Sequence, residues 1–411
     1  MKQVLLSIIT VLLLSTTAFS QAAATLRTGW YRASIIREDG AAIIFNAEVQ
    51  LKNGKQVMYI RNAAERLLVD DINIKGDSVH IEMPFFESFF RLQQQNDGKL
   101  VGKWFKAGSA KLLEFPVEFV YGSNERFAIT KPATENSSGR WQVAFTRPNG
   151  TDRPAIAEFQ QKGSALTGTF LTPSGDYRFL EGVVNGDSLL LSCFDGSHAY
   201  LFTATISGNE IKNGMFYSSA SPAEPWRAVK NENAALPDTT QLTQVKPGES
   251  KLNFTFKDVN GKNVSINDAR FKNKVVVIQI MGSWCPNCMD ESQFLSSFYK
   301  EYKNKGVEVI ALAYEYSTDF NRSKASIQKF INRFGIQYPV LITPTTVSDE
   351  QRTEKTLPQL TPIRMFPTTI FLDKQGNVSK IHHGFYGPGT GAFHTEFKAD
   401  FFRTIRSLLA D

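Results

Sequence analysis

The chain has 411 residues, 42% hydrophobic and 21% charged, with a formal net charge of +6 and three cysteines. That length exceeds one ordinary core and implies two or three domains. The mild positive excess contains no basic block and gives no reason to expect a nucleic-acid partner, and three cysteines are too few for a disulfide-built scaffold.

Residues 1–20 have the pattern of a cleaved export signal. Lys2 precedes an apolar run from Val4 to Leu14, and Ala18-Phe19-Ser20 makes a small-x-small cleavage pattern before Gln21. The run is short for a membrane span, and no later segment is apolar enough to cross a bilayer. No cysteine precedes Cys193, which excludes lipid attachment at a mature N-terminal cysteine. The expectation is an exported protein, periplasmic or otherwise extracytoplasmic, with no transmembrane span in the mature chain.

Residues 21–230 show short alternating apolar runs broken at Asp39-Gly40, Asn53-Gly54, Asp97-Gly98, Asn149-Gly150 and Asn185-Gly186, turn signals at strand-like intervals. The region is predicted all-β, with a short helix possible over Asn62–Val69. It is also predicted to be duplicated. A shift of 110 positions lays Gly29 on Gly139, Glu48-x-Gln50-x-Lys52 on Glu158-x-Gln160-x-Lys162, and Gly76-Asp77-Ser78 on Gly186-Asp187-Ser188. Trp30-Tyr31 and Trp141 align within one residue. Two related antiparallel units follow, 21–135 and 136–230. Their aromatics (Trp30, Tyr31, Phe85, Phe86, Phe89, Phe90, Trp104, Trp141) could line a groove, but β-core is the simpler reading. Met83–Phe90 is the greasiest stretch, expected buried. Cys193 is expected to be a buried small hydrophobe.

Residues 231–250 turn polar, with Pro237, Pro247 and Gly248, and are expected to be a linker. From 251 to 411 strands and helices alternate. Strands are predicted at 253–257, 263–266, 275–280, 307–314, 338–341, 368–372 and 379–383, and helices at 290–303, 323–334 and 393–409, giving an α/β domain with a mixed central sheet.

Cys285 and Cys288 close the β-branched run Val275–Ile280 just where a helix should begin. A thiol at a helix N-terminus faces unpaired N–H groups and the positive end of the macrodipole. A pKa of about 8.5 leaves about 3% thiolate at pH 7, whereas one near 7 leaves half. Two intervening residues permit a small disulfide ring, so Cys288 could resolve a mixed disulfide on Cys285. An inert structural disulfide is the plainer alternative. A structural zinc site would need four ligands; the only other cysteine is Cys193, and His382-His383 has no partner at ligand spacing. Neither metal nor cofactor is expected.

These residues carry a resemblance. Over about the last 160 residues the chain resembles the TlpA-like thiol–disulfide oxidoreductases, a branch of the thioredoxin superfamily. The matching elements are Asp258-x-x-Gly261-Lys262, Gly282-Ser283-Trp284-Cys285-Pro286-Asn287-Cys288, Glu291, Tyr338-Pro339-Val340 and Phe366-Pro367-Thr368-Thr369-x-Phe371-Leu372-Asp373-x-x-Gly376. The resemblance implies a thioredoxin-like domain with Cys285 and Cys288 as the catalytic, redox-active pair. It makes Pro367 a cis-proline, with Phe366 before it on the lip of the site, and Trp284 a shield shaping the site beside Pro286 and Asn287. It further implies a reductase of protein or peptide disulfides, fed by a membrane-embedded thiol electron donor. Two positions depart from the pattern. Gln279 stands where thioredoxins place a buried acidic residue, so proton transfer needs another route; Glu291 is a candidate, or merely a carboxylate answering the helix dipole. Gln293 stands where many relatives carry proline.

Two other functions fit parts of the chain. The β-rich half could serve a binding or assembly protein with an accessory redox domain. A thiol peroxidase would need a Pro-x-x-x-Thr-x-x-Cys setting, and proline is absent ahead of Cys285.

Overall fold

The computed structural model describes residues 25–108, 111–240 and 242–410; the expected export signal at 1–20 lies outside them. Among these residues, the strands from Gly29–Ile36 to Leu112–Tyr121 form a nine-stranded antiparallel sheet, and those from Gly139–Thr146 to Glu224–Lys230 form a second. In the second, the edge strand Asp152–Lys162 also pairs with Ala165–Thr172, which closes the sheet into a barrel. Closure removes the unpaired edges that an open sheet leaves.

Adding 110 to the bounds of Gly29–Ile36, Ala42–Lys52 and Lys55–Asn62 gives those of Gly139–Thr146, Asp152–Lys162 and Ala165–Thr172. Registers shift alike: Tyr31 faces Ala47, and Trp141 faces Ala157. Tyr31 Oη donates to Arg27 O at 3.0 Å and Trp141 Nε1 to Ser137 O at 2.8 Å, so each buried aromatic satisfies its polar atom four residues upstream. Tyr31, rather than Trp30, is thus the counterpart of Trp141.

The helix expected over Asn62–Val69 does not form. Lys55–Asn62 and Glu65–Val69 are paired strands joined through Ala63 at φ +49°. Leu67 and Val69 are buried while Leu68 is half-buried, a period of two that the short apolar cluster disguised. Most of the aromatics are core. Trp104 is buried with its Nε1 donating to Ser88 Oγ at 2.7 Å and its ring stacked on Phe115 at 5.2 Å, and Phe45 and Phe90 both meet Phe119 edge-on; Trp30 and Phe89 remain half-exposed. Cys193 is buried and unpaired, and burial pushes its thiol well above the ordinary range.

In the C-terminal part, Val275–Met281 and Val307–Ala313 are buried along their whole length, as strands covered on both faces require. Val275–Met281 pairs in parallel with Val307–Ala313, which pairs in parallel with Val340–Ile342; Thr368–Leu372 lies antiparallel on the other side of Val275–Met281. Val378–His383 continues that edge, while Thr255–Asp258 and Asn263–Ser265 complete the opposite one. Helices α1 (Pro286–Tyr302), α2 (Phe320–Phe334) and α4 (Ala392–Ala410) bury Leu295, Phe298, Ile327, Phe401 and Ile405 in a cluster with Val277 and Val309. The other face is covered by Phe254, Phe271, Leu357 and Leu360. The short helix α3 (Arg352–Thr356) lies there and has no apolar period to announce it. The polar segment 231–250 lies along this domain: Thr243 is buried and its N–H donates to His383 Nε2 at 3.1 Å.

The two parts share an interface. Phe85 stacks on Phe334 at 5.4 Å and meets Phe330 edge-on at 5.5 Å, while Glu87 binds Arg322 at 3.0 Å and Ser326 Oγ at 2.7 Å. Within the greasy stretch Met83–Phe90, Phe85 and Phe86 are therefore covered by α2, while Phe90 is buried against Phe119 and Phe194. Phe85→Ala is expected to lower the unfolding free energy by about 3–5 kcal/mol, measured by urea denaturation, because the lost ring leaves a cavity between two packed bodies.

Candidate active site

Val275–Met281 ends at Gly282, and α1 starts at Pro286 with Cys285 as its N-cap. Proline suits that first helical position because its missing N–H would be unpaired there anyway. Cys285 and Cys288 are joined by a disulfide with their Cα atoms 5.2 Å apart. Cys285 Sγ accepts from Cys288 N at 3.2 Å, so an unpaired N–H of the first turn points at the sulfur. The same contact would stabilise a thiolate on Cys285 after reduction.

Behind the pair lies a buried polar chain. Gln279 Nε2 donates to Cys288 O at 3.3 Å and to Glu291 Oε2 at 2.8 Å, and Ser292 Oγ donates to Gln279 Oε1 at 3.2 Å. Thr369 Oγ1 donates to Glu291 Oε1. Glu291 is 1% exposed, and burial pushes its carboxyl up to about 7 although both hydrogen bonds pull the other way. Its partners are side chains on neighbouring strands, not the free N–H groups of the helix end. A carboxyl near 7 suits proton transfer at neutral pH.

The peptide bond Phe366–Pro367 is cis. Pro367 is buried and Phe366 half-buried. Trp284 Nε1 donates to Tyr314 O at 2.8 Å, and its ring stacks on Tyr316 at 5.4 Å and meets Phe366 at 5.5 Å. The aromatic and proline positions expected around the cysteines therefore converge. Asn287 turns away from that rim, toward the β-rich half: with its amide oriented to satisfy both groups, it donates to Asp176 O and accepts from Asp176 N, each at 3.2 Å.

Three polar groups beside the pair were not foreseen from the sequence. Glu315 is buried and accepts from Ser283 N at 2.8 Å and Ser283 Oγ at 2.5 Å, fixing the turn into Cys285; burial pushes it up to about 7. A charge directly after the apolar run Val307–Tyr314 was its only signal. Asp290, in the second turn of α1, pairs with Arg178 of the β-rich half, which also pairs with Glu65 and Asp195. No local pattern could have joined residues so distant in sequence. The loop Gly384–Gly391 is held in place: Phe385 is fully buried and Gly387 N donates to Asp176 Oδ2 at 2.6 Å. His382 and His383 part as strand alternation requires, His382 against Phe397 and His383 on Thr243.

The Redoxin family model matches residues 234–391. The thiol-disulfide oxidoreductase ResA of Geobacillus kaustophilus is 30% identical over 145 residues, covering 35% of this chain and 74% of its own length. ResA of Halalkalibacterium halodurans is 29% identical over 140 residues, covering 34% and 69%. Among solved structures, a thiol:disulfide interchange protein of the thioredoxin family from Chlorobium tepidum is 23% identical, with a TM-score of 0.30, over 40% of this chain and 99% of its own. The matches to ResA and to the Redoxin model all fall on the C-terminal part, and through it the chain belongs to the ResA-type, TlpA-like thiol–disulfide oxidoreductases, enzymes of the thioredoxin superfamily.

Proposed function

We propose that this enzyme is exported and reduces disulfides of proteins or peptides through Cys-Pro-Asn-Cys. The observation that carries the reading is the Cys285–Cys288 disulfide at the N-terminus of α1 with a buried carboxyl, Glu291, one side chain away. In the reduced enzyme, the Cys285 thiolate attacks one sulfur of the substrate and the other sulfur leaves as a thiolate. Cys288 then gives up its proton, with Glu291 as the acceptor, and attacks Cys285. The enzyme ends with its own disulfide and the substrate with two thiols, a transfer of two electrons. Trp284, Pro286, Phe366 and Pro367 shape the surface around the reacting sulfur, and Asn287 holds the β-rich half beside it.

Re-reduction falls to a thiol donor, a membrane-embedded one in an extracytoplasmic setting. Export is supported by the apolar run Val4–Leu14 and the cleavage pattern at Ala18–Ser20. The coinciding strand bounds and registers at a spacing of 110 support descent of the β-rich half from one duplicated unit, and its buried aromatics favour a scaffold for the redox domain over a free binding groove.

The test is a redox-buffer titration of the mature protein with thiol trapping and mass spectrometry. A reversible two-electron transition of the Cys285–Cys288 pair near thioredoxin's potential, about −270 mV, is expected. A strongly oxidising value, near the −120 mV end of the range, would replace reductase by disulfide formation. A pair that never cycles would end the catalytic reading.

A further inference from the structure

Cys285 is 5% exposed and Cys288 not at all, and the β-rich half packs on the motif at the residues between and before them, Asn287 and Trp284. The loop from Pro173 to Arg178 runs along the redox motif. Its Asp176 backbone pairs with the Asn287 amide, and its Gly175 bridges Phe385 in parallel register. The Asp176 carboxylate holds Gly387 N. Gly175 sits at φ +141°, and a methyl group on it would collide with the Asn287 side chain and stand 2.8 Å from Phe385 O. Only glycine lets the backbone come this close.

Arg178 anchors the loop. Its guanidinium is buried among the carboxylates of Glu65, Asp195 and Asp290, so it ties both β-units to α1. On the other flank, Ser197 Oγ lies 3.5 Å from Trp284 O, and Lys106 Nζ holds the Ser197 carbonyl at 2.6 Å. Removing one member of such a buried ionic cluster leaves the others uncompensated, so the loop is not a loosely attached flap. The side of the motif left partly open is the rim of Trp284, Tyr316, Met365 and Phe366, all half-buried.

We propose that residues 173–178 are a specificity-determining wall that restricts Cys285 to disulfides in slender, extended peptide segments or small molecules, and rejects disulfides set in the surface of a folded protein. The inference rests on Cys285 being the attacking thiol. A folded partner would have to cover both flanks of the motif to bring its sulfur in line, and one flank is already filled by the enzyme's own chain.

The test reads access to the sulfur directly. The reduced full-length protein is alkylated with N-ethylmaleimide or with a maleimide on a long polyethylene-glycol chain, and the product at Cys285 is located by mass spectrometry. Relative to an unstructured cysteine peptide, the bulky reagent is expected to be retarded about ten-fold or more, as for a site open a tenth of the time or less. Gly175→Ala, which forces the loop off Asn287, and Glu65→Gln, which weakens the hold on Arg178 away from the motif, are expected to bring the ratio toward the peptide's value. They should also raise the rate of insulin reduction relative to that of a linear disulfide peptide. A wild-type ratio equal to the peptide's overturns the wall, as does a ratio unmoved in both variants with near-UV circular dichroism preserved. If both variants fail to fold, the wild-type ratio still decides. Because alkylation needs no turnover, a redox pair that fails to cycle in the titration defeats the reductase reading without moving this result.

Discussion

Cys285→Ser is expected to lower disulfide reduction by at least about a thousand-fold, because a hydroxyl at that position is neither ionised nor a partner for sulfur exchange. Single-turnover reduction of a linear disulfide peptide measures it. Cys288→Ala should behave differently. It keeps the attacking thiol and removes the one that resolves, so the first exchange proceeds and stops, and mixed disulfides on Cys285 accumulate. Non-reducing gels and mass spectrometry of extracts detect them; finding none would count heavily against protein substrates. The contrast separates the two sulfurs by role: Cys285 caps α1 with a backbone N–H on its Sγ, whereas Cys288 is wholly buried beside Gln279.

The second large effect belongs to Glu291. If its carboxylate takes the proton of Cys288, the resolving step requires the ionised form, and the rate should climb as pH rises through about 7. Glu291→Gln is expected to remove that limb and slow resolution at pH 8 by about a hundred-fold or more, the usual weight of a positioned proton acceptor. Stability should move in the opposite sense. Burial raises this carboxyl from 4.5 to about 7, so the folded state holds its proton more tightly than the unfolded chain. Glu291 therefore contributes most below pH 4.5, and that contribution is lost as pH rises to about 7. At about 1.4 kcal/mol per tenfold in proton affinity, the loss is at most about 3 kcal/mol. Glu315 and Asp176, raised by burial to about 7 and about 6, slope the same way. The difference between wild type and Glu291→Gln isolates one carboxyl: urea unfolding at pH 5 and pH 8 should show the variant less sensitive to pH. Equal pH slopes for rate and stability in the two proteins would remove Glu291 from the mechanism.

How much of this was legible depended on distance along the chain. The cysteines, the helix they open and the strand that delivers them lie within one continuous stretch, where periodicity and turn chemistry act locally. Gln279 and Glu291 were noticed because each stands at a fixed offset from a cysteine, although their hydrogen bond to each other was not. Strand bounds at a spacing of 110 recur where Asp39-Gly40 is matched by Asn149-Gly150, and also where Asn53-Gly54 is replaced by Gly163-Ser164. Arg178, Asp290 and Asp195 meet only through tertiary packing, and each alone is an ordinary charged residue. Met83–Phe90 announced burial through composition but held no information about α2 as its cover. The short helix Arg352–Thr356 buries only Thr353 and Thr356, and the apolar residues that cover the sheet's second face after it, Leu357, Leu360 and Ile363, are interrupted by Pro358 and Pro362, so no regular element was marked there.

Phe194 belongs by sequence to the second β-unit, yet its ring stacks on Phe45 at 4.3 Å and packs against Trp104 at 5.1 Å and Phe90 at 5.6 Å. The first sheet's aromatic centre is thus completed by a residue synthesised long after its own last strand, Leu112–Tyr121. A ribosome releasing the chain from its N-terminus delivers the first unit with a vacancy where that ring belongs. Its tight packing has to wait for the arrival of the second, and any proteolytic survey of nascent chains should see protection of both appear together.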